Sequence, residues 1–171
     1  MSRYIAFLRG VNVGGVNLKM AEVAKAMEAA GFTEVRTILA SGNVLLDSTS
    51  KAAKVRSTAE RTLRDAFGYE AWVLVYDLPT LQKISQAYPF EREVPDHHSY
   101  VTFVSDDELL DELAALTPGP DEKVQRGDGV LYWQVPRAAT LDSAIGKTMG
   151  KKRYKSSTTT RNLRTLDKVL R

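Results

Sequence analysis

Tyr4-Ile5-Ala6-Phe7-Leu8 is an unbroken apolar run close to the start of the chain, closed by Arg9-Gly10. A strand with one wet face alternates apolar with polar residues, so a run that is apolar throughout predicts a central strand covered on both sides. The patterns that follow must pack around it. Met20, Val23, Ala24 and Met27 recur at helical spacing, with Asn17 as the expected N-cap and Gly31 as the stop. Val35 to Leu39 and Val44 to Leu46 are β-prone, and Ala40-Ser41-Gly42-Asn43 between them has the composition of a hairpin turn. Ala52, Val55, Ala59, Leu63 and Ala66 mark a second amphipathic helix ended by Gly68, and Trp72 to Tyr76 reads as a strand. The order is βαββαβ, that of a ferredoxin-like α+β half over residues 1–77.

Asp77-Leu78-Pro79 is a helix start, Leu78, Leu81, Ile84 and Tyr88 form its apolar stripe, and Pro89 ends it. Residues 78–98 are thus expected to be a linker helix and loop, with the adjacent His97 and His98 in that loop. Neighbouring side chains on extended backbone diverge, so they do not form a metal pair. The segment 99–171 is expected to hold a second α+β half with a basic C-terminal segment. It opens with the strand Tyr100 to Val104 and the capping box Ser105-x-x-Glu108, which starts a helix with Leu109, Leu110, Leu113 and Leu116 inward. Strands near Lys123 to Arg126 and Val130 to Val135 flank the turn Gly127-Asp128-Gly129. Helical patterns at Leu141, Ala144, Ile145 and Met149 and at Leu163, Leu166 and Leu170 close the chain. This half therefore reads βαββα with closing helices, related to the first half but with its last strand replaced by helix. The open face of the first sheet needs a cover, and the second half is the expected one.

Charge is unevenly distributed. Lys147 to Arg171 carries nine basic residues and one acidic residue, whereas Met1 to Gly146 carries fifteen basic and twenty acidic. A tail this basic fits an anionic partner such as nucleic acid. It fits equally well a basic segment docked on the chain's own acidic stretch, Asp77 to Glu122, which has eleven acids and two bases. The chain has no cysteine, which excludes disulfides, thiolate metal sites and a cysteine nucleophile. No apolar stretch is long enough to span a membrane, and the expected location is the cytoplasm. No metal or cofactor is called for.

Arg9-Gly10-Val11-Asn12-Val13-Gly14-Gly15-Val16-Asn17 joins the end of a strand to a helix, where backbone N–H groups and the helix dipole favour an anion. Gly10 and Gly15 have P-loop spacing, but Val16-Asn17 stands where lysine and serine or threonine must hold phosphate and Mg²⁺, which disfavours ATP hydrolysis. The dinucleotide glycine pattern is absent as well. A tight turn needing glycine at positive φ accounts for the loop equally well. Ser41-Gly42-Asn43 could orient a ligand or bond its own backbone. In the segment from Lys147 to Asn162, Thr158, Thr159 or Thr160 is the expected N-cap of the last helix. A cationic, hydroxyl-rich helix start suits phosphate or carboxylate, and a solvated loop is the alternative. Hydrolase templates find no match.

Arg9-Gly-Val-Asn-Val-Gly-Gly15, Met20, Ser41-Gly-Asn43-Val and Thr159-Thr-Arg-Asn162 together resemble the bacterial family known as domain of unknown function 1697, across nearly the whole chain. Leu163 stands where that family commonly has tryptophan, and Gly150 to Lys155 is richer in lysine. The resemblance implies a ferredoxin-like half joined to a related α+β half, and it implies no established activity. The residues themselves support a binding module for a small phosphate-bearing or other anionic ligand. Its expected contacts are Arg9, Gly10, Asn12, Gly14, Gly15, Ser41, Asn43, Lys147, Thr159, Thr160, Arg161 and Asn162, with Arg9 and Arg161 as charge partners. A transferase-like enzyme using Asn12, Ser41, Asn43 and Lys147 is the second reading, and nucleic-acid binding by the basic tail is the third.

Overall fold

The computed structural model describes residues 1–9, 11, 16–137, 147–148, 151, 154 and 157–171. They fall into two compact units, residues 1–81 with 168–171 and residues 82–167. The first unit is built in the order β1 (Ser2–Leu8), α1 (Met20–Ala29), β2 (Thr33–Ile38), β3 (Asn43–Ser48), α2 (Ala52–Phe67), β4 (Val73–Asp77), and α3 (Leu78–Gln86) follows. Its sheet order is β2-β3-β1-β4 with antiparallel neighbours, the arrangement of a ferredoxin-like fold.

β1 is buried at every position from Tyr4 to Leu8, as its unbroken apolar run requires. Tyr4, Ala6 and Leu8 face the helices and pack with Val23 and Met27 of α1 and Val55, Ala59 and Leu63 of α2. Each such aliphatic side chain contributes roughly 1.5–3 kcal/mol on full burial. Ile5 and Phe7 on the other face are also fully buried. Gly68 ends α2 in the left-handed region at φ 67°, its N–H donating to the Arg64 carbonyl. The expected Asn17 cap does not form: α1 starts at Met20 behind Lys19, with no side-chain cap. Asp77 does open α3, its Oδ1 accepting from Thr80 N at 2.8 Å.

The second unit contains β5 (His97–Val104), α4 (Asp107–Ala114), β6 (Lys123–Arg126), β7 (Val130–Pro136), β8 (Thr158–Asn162) and the start of α5 (Leu163–Leu170). Its sheet order is β6-β7-β5-β8, which repeats the connectivity of the first sheet strand for strand. Leu109, Leu110 and Leu113 of α4 pack against Leu131, Trp133 and Val135 of β7.

Four local expectations change here. First, the unit has a fourth strand after all, because Thr158–Asn162 pairs antiparallel with β5 instead of opening a helix. Three consecutive β-branched threonines suit a pleated strand, and Thr160 Oγ1 shares a 2.8 Å hydrogen bond with Thr102 Oγ1 across the pair. Second, the cap of α5 is therefore not a threonine but Asn162, whose Oδ1 accepts from Arg164 N at 2.8 Å. Third, α4 is capped by Asp106, which accepts from the N–H groups of Glu108 and Leu109. Ser105 continues the sheet instead, donating its N–H to the Ser157 carbonyl at 2.9 Å. Fourth, His97 and His98 are not in a loop but open β5, opposite Pro136 and Val135. The expected helix at Leu141 to Met149 falls mostly outside the described residues. Among the described residues no helix is long and apolar enough to cross a membrane.

Candidate functional site

Arg9 is the next rung after β1. Its N–H donates to the Trp72 carbonyl at 3.0 Å, which extends the β1–β4 ladder past Leu8 and Val73. Strand alternation then carries the Arg9 side chain to the face of Ile5 and Phe7. Among the described residues, the buried Nε atom has no hydrogen-bond partner and no carboxylate pairs with the guanidinium. Burial pushes the Arg9 pKa down from its ordinary value. A guanidinium does not lose its proton under ordinary conditions, so Arg9 stays a cation that is partly desolvated at Nε.

The Ser41-Gly42-Asn43 turn closes on the same strand end. Leu8 N donates to the Gly42 carbonyl at 2.8 Å, and Gly42 has φ 92° with no room for a side chain. Val11, the one described residue between Arg9 and Val16, packs against this glycine, so the start of the glycine-rich loop and the hairpin tip lie together. Asn43 is fully buried, and its Nδ2 donates to the Ile38 carbonyl (2.7 Å) and to Ser41 Oγ (2.9 Å). These bonds hold the turn itself. Gly10, Asn12, Gly14 and Gly15 lie outside the described residues.

The C-terminal candidates occupy β8 in the second unit. Thr159 and Arg161 share the face of Val101 and Phe103, and Thr160 and Asn162 share the opposite face with Tyr100 and Thr102. Arg161 is buried and donates to Thr159 Oγ1 at 2.7 Å and to the Thr160 carbonyl at 2.9 Å. Lys147 is exposed. Downstream of Lys147, Tyr154 joins the core of the second unit, and its hydroxyl lies 3.3 Å from Glu112 Oε2 on α4. At that residue the basic segment is attached to an acidic helix.

Two residues next to the strand end escaped the sequence reading. Arg64 lies over the Trp72 ring, 5.0 Å from its centroid, and its Nη2 donates to the Ala71 carbonyl at 2.9 Å. Residues eight apart on a helix end and a strand start carry no shared pattern, and only the fold brings them into contact.

With this geometry in place, the family model described as "Protein of unknown function (DUF1697)" matches residues 1–132, which include the Arg9 loop and the Ser41 turn. The chain belongs to the DUF1697 family. A structure titled as that of a conserved bacterial protein from Streptococcus pneumoniae is similar over 99% of this chain and 96% of that one, with a TM-score of 0.82 and 21% sequence identity. At that identity the likeness speaks for the fold. No curated protein matches. This DUF1697 chain therefore shares a whole-chain architecture with a solved structure, and its chemistry is that of its own side chains.

Proposed function

We infer that this protein binds a small anionic ligand, phosphate-bearing or similar, at the C-terminal end of β1, with the Arg9 guanidinium as its charge partner. The observation that carries this reading is the buried Arg9 Nε without an acceptor. Buried polar groups in folded proteins are nearly always satisfied, and a buried donor left without an acceptor costs about 1–3 kcal/mol. An oxyanion would supply both the missing acceptor and the missing charge. The site stands where a strand ends and a glycine-rich loop leads toward α1, a position suited to backbone N–H donors. The Ser41–Asn43 turn contributes a rigid wall.

The test is a titration of the ¹⁵N-labelled protein with inorganic phosphate and with mononucleotides, following the Arg9 Nε–Hε signal and the amides of Leu8, Val11 and Gly42. A saturable shift is expected in wild type and its loss in Arg9→Ala. Arg9→Lys is expected to bind weakly, because an ammonium cannot present a planar fork. Absence of any shift at these groups, or identical binding by Arg9→Ala, would remove the proposal.

A further inference from the structure

Arg9 has a direct neighbour across the ladder. The β1–β4 register runs from Tyr4 opposite Asp77 to Leu8 opposite Val73, and the bond from Arg9 N–H to the Trp72 carbonyl (3.0 Å) adds the next rung, which sets Arg9 opposite Trp72. Residues directly opposite in an antiparallel pair hold their Cβ atoms about 4.5–5.5 Å apart on one face of the sheet. A molecule held by one of these side chains is within reach of the other.

The backbone on both sides of Trp72 is fixed by α2. Arg64 Nη2 donates to the Ala71 carbonyl at 2.9 Å, and Glu60 Oε2, one turn earlier on the helix, accepts from the Val73 N–H at 3.0 Å. With the rung to Arg9, these bonds hold the Trp72 peptide from three directions. The indole itself has capacity to spare. Arg64 covers one face of the ring, 5.0 Å from its centroid, and no aromatic or cationic group among the described residues covers the other. Its Nε1–H has no acceptor among them either, whereas the chain's second tryptophan, Trp133, donates its Nε1–H to Thr102 Oγ1 at 2.9 Å. A packed tryptophan ordinarily finds a partner for this proton.

The charge around the ring is also unbalanced. Neither Arg9 nor Arg64 is paired with a carboxylate among the described residues. Glu60, the carboxylate that α2 brings to this strand end, is spent on the Val73 N–H and on Arg56 Nε at 3.4 Å. An inorganic anion would satisfy Arg9 and leave the indole unused. We propose that the ligand of the Arg9 site is a phosphomonoester carrying a planar heteroaromatic ring, of the nucleoside 5′-monophosphate class, with its phosphate on Arg9 and its ring stacked on the open face of Trp72. This rests on the anion-binding reading of Arg9 and adds what else the ligand carries. The indole N–H lies in the plane of its ring, so it meets sugar or phosphate oxygens beside the stack and not the stacked ring. Stacking on an aromatic side chain accepts any base, so Trp72 selects for a ring and not for one nucleotide.

The experiment uses the full chain and compares adenosine 5′-monophosphate with ribose 5-phosphate, which has the same charged head and sugar without the ring. Titrations follow the Arg9 Nε–Hε signal and the indole N–H signal of Trp72, the latter assigned by its absence in Trp72→Phe. In wild type the nucleotide should bind about tenfold more tightly than the sugar phosphate, the contribution of one base stack, and only the nucleotide should give a large ring-current shift at Trp72. The indole signal of Trp133, already bonded to Thr102, should stay in place. Trp72→Ala should bring the ratio of the two affinities to about one, Trp72→Phe should keep part of it, and Arg9→Ala should weaken both ligands. Equal affinities in wild type would overturn the inference whatever the variants do, and so would a preference for the nucleotide that survives in folded Trp72→Ala. In either case, binding that Arg9→Ala abolishes leaves the Arg9 reading standing. If neither ligand moves Arg9 Nε–Hε, both readings fall together.

Discussion

The Gly42 carbonyl accepts the Leu8 N–H at 2.8 Å, and a Cβ on Gly42 would stand 2.8 Å from the Leu8 Cβ. The hairpin tip and the end of β1 are thus in backbone contact, and the contact exists only because residue 42 has no side chain. Arg9 is the next residue along, so the position of the proposed ligand contact depends on this packing.

Gly42→Ala is accordingly expected to destabilise the protein. The left-handed φ of 92° costs a non-glycine residue about 1 kcal/mol, and the new methyl would also press on Val11 Cγ2 at 2.7 Å. Together with the repacking this should amount to about 2–4 kcal/mol. Urea denaturation should show a lower midpoint at unchanged m-value. A midpoint equal to wild type would mean that the turn relaxes freely.

Trp133 Nε1 donates to Thr102 Oγ1 at 2.9 Å, and Thr102 in turn shares its hydroxyl with Thr160, which ties β7 and β8 to the central strand β5. Trp133→Phe removes the donor and part of a fully buried side chain. A loss of about 1–3 kcal/mol is expected, from one buried hydrogen bond and the space left behind. Calorimetric or denaturant unfolding of the variant measures it directly.

His98 makes stability depend on pH in a defined direction. Its native pKa is held below the ordinary imidazole value by burial and by the Arg137 and Arg164 guanidiniums. As pH falls through about 6.5 the unfolded chain takes up this proton first, so stability declines until native His98 also protonates. His98→Gln should flatten that decline in unfolding free energies measured at about pH 7.5 and pH 5.5. Parallel pH profiles for the two proteins would show that the ring contributes nothing.

Tyr154 separates packing from polarity at the attachment of the basic segment. Its ring is buried against α4, and its hydroxyl reaches Glu112 at 3.3 Å. Tyr154→Phe should cost no more than about 1 kcal/mol, because the carboxylate can turn to water, and Tyr154→Ala about 3 kcal/mol or more. Equal losses in the two variants would place the energy in the hydroxyl.

How far the amino-acid order reaches is clearest in particular segments. Tyr4 to Leu8 announced a doubly covered central strand, the stripe from Val55 to Leu63 announced α2, and Gly68 announced its end, because periodicity and glycine act over a few neighbouring residues. The DUF1697 assignment was likewise readable from short motifs in sequence order. Thr158 to Asn162 was not readable as a strand. A threonine run is compatible with a cap or a strand, and β5 lying alongside it decided the matter. The same partner drew Ser105 into the sheet and passed the α4 cap to Asp106. Arg9 could be picked out as a cation beside a glycine loop, but the burial of its Nε without an acceptor among the described residues is a property of packing. A cavity lined by Arg92, His98, Asn162 and Arg164 joins residues up to 72 positions apart, and it arises only where the ends of β5, β7 and β8 come together. Local order specified most of the helices and the α4 cap to within one residue, whereas the expected α1 and α5 caps did not form as read, and long-range pairing decided that Thr158–Asn162 became a strand and which polar side chains it left near one another.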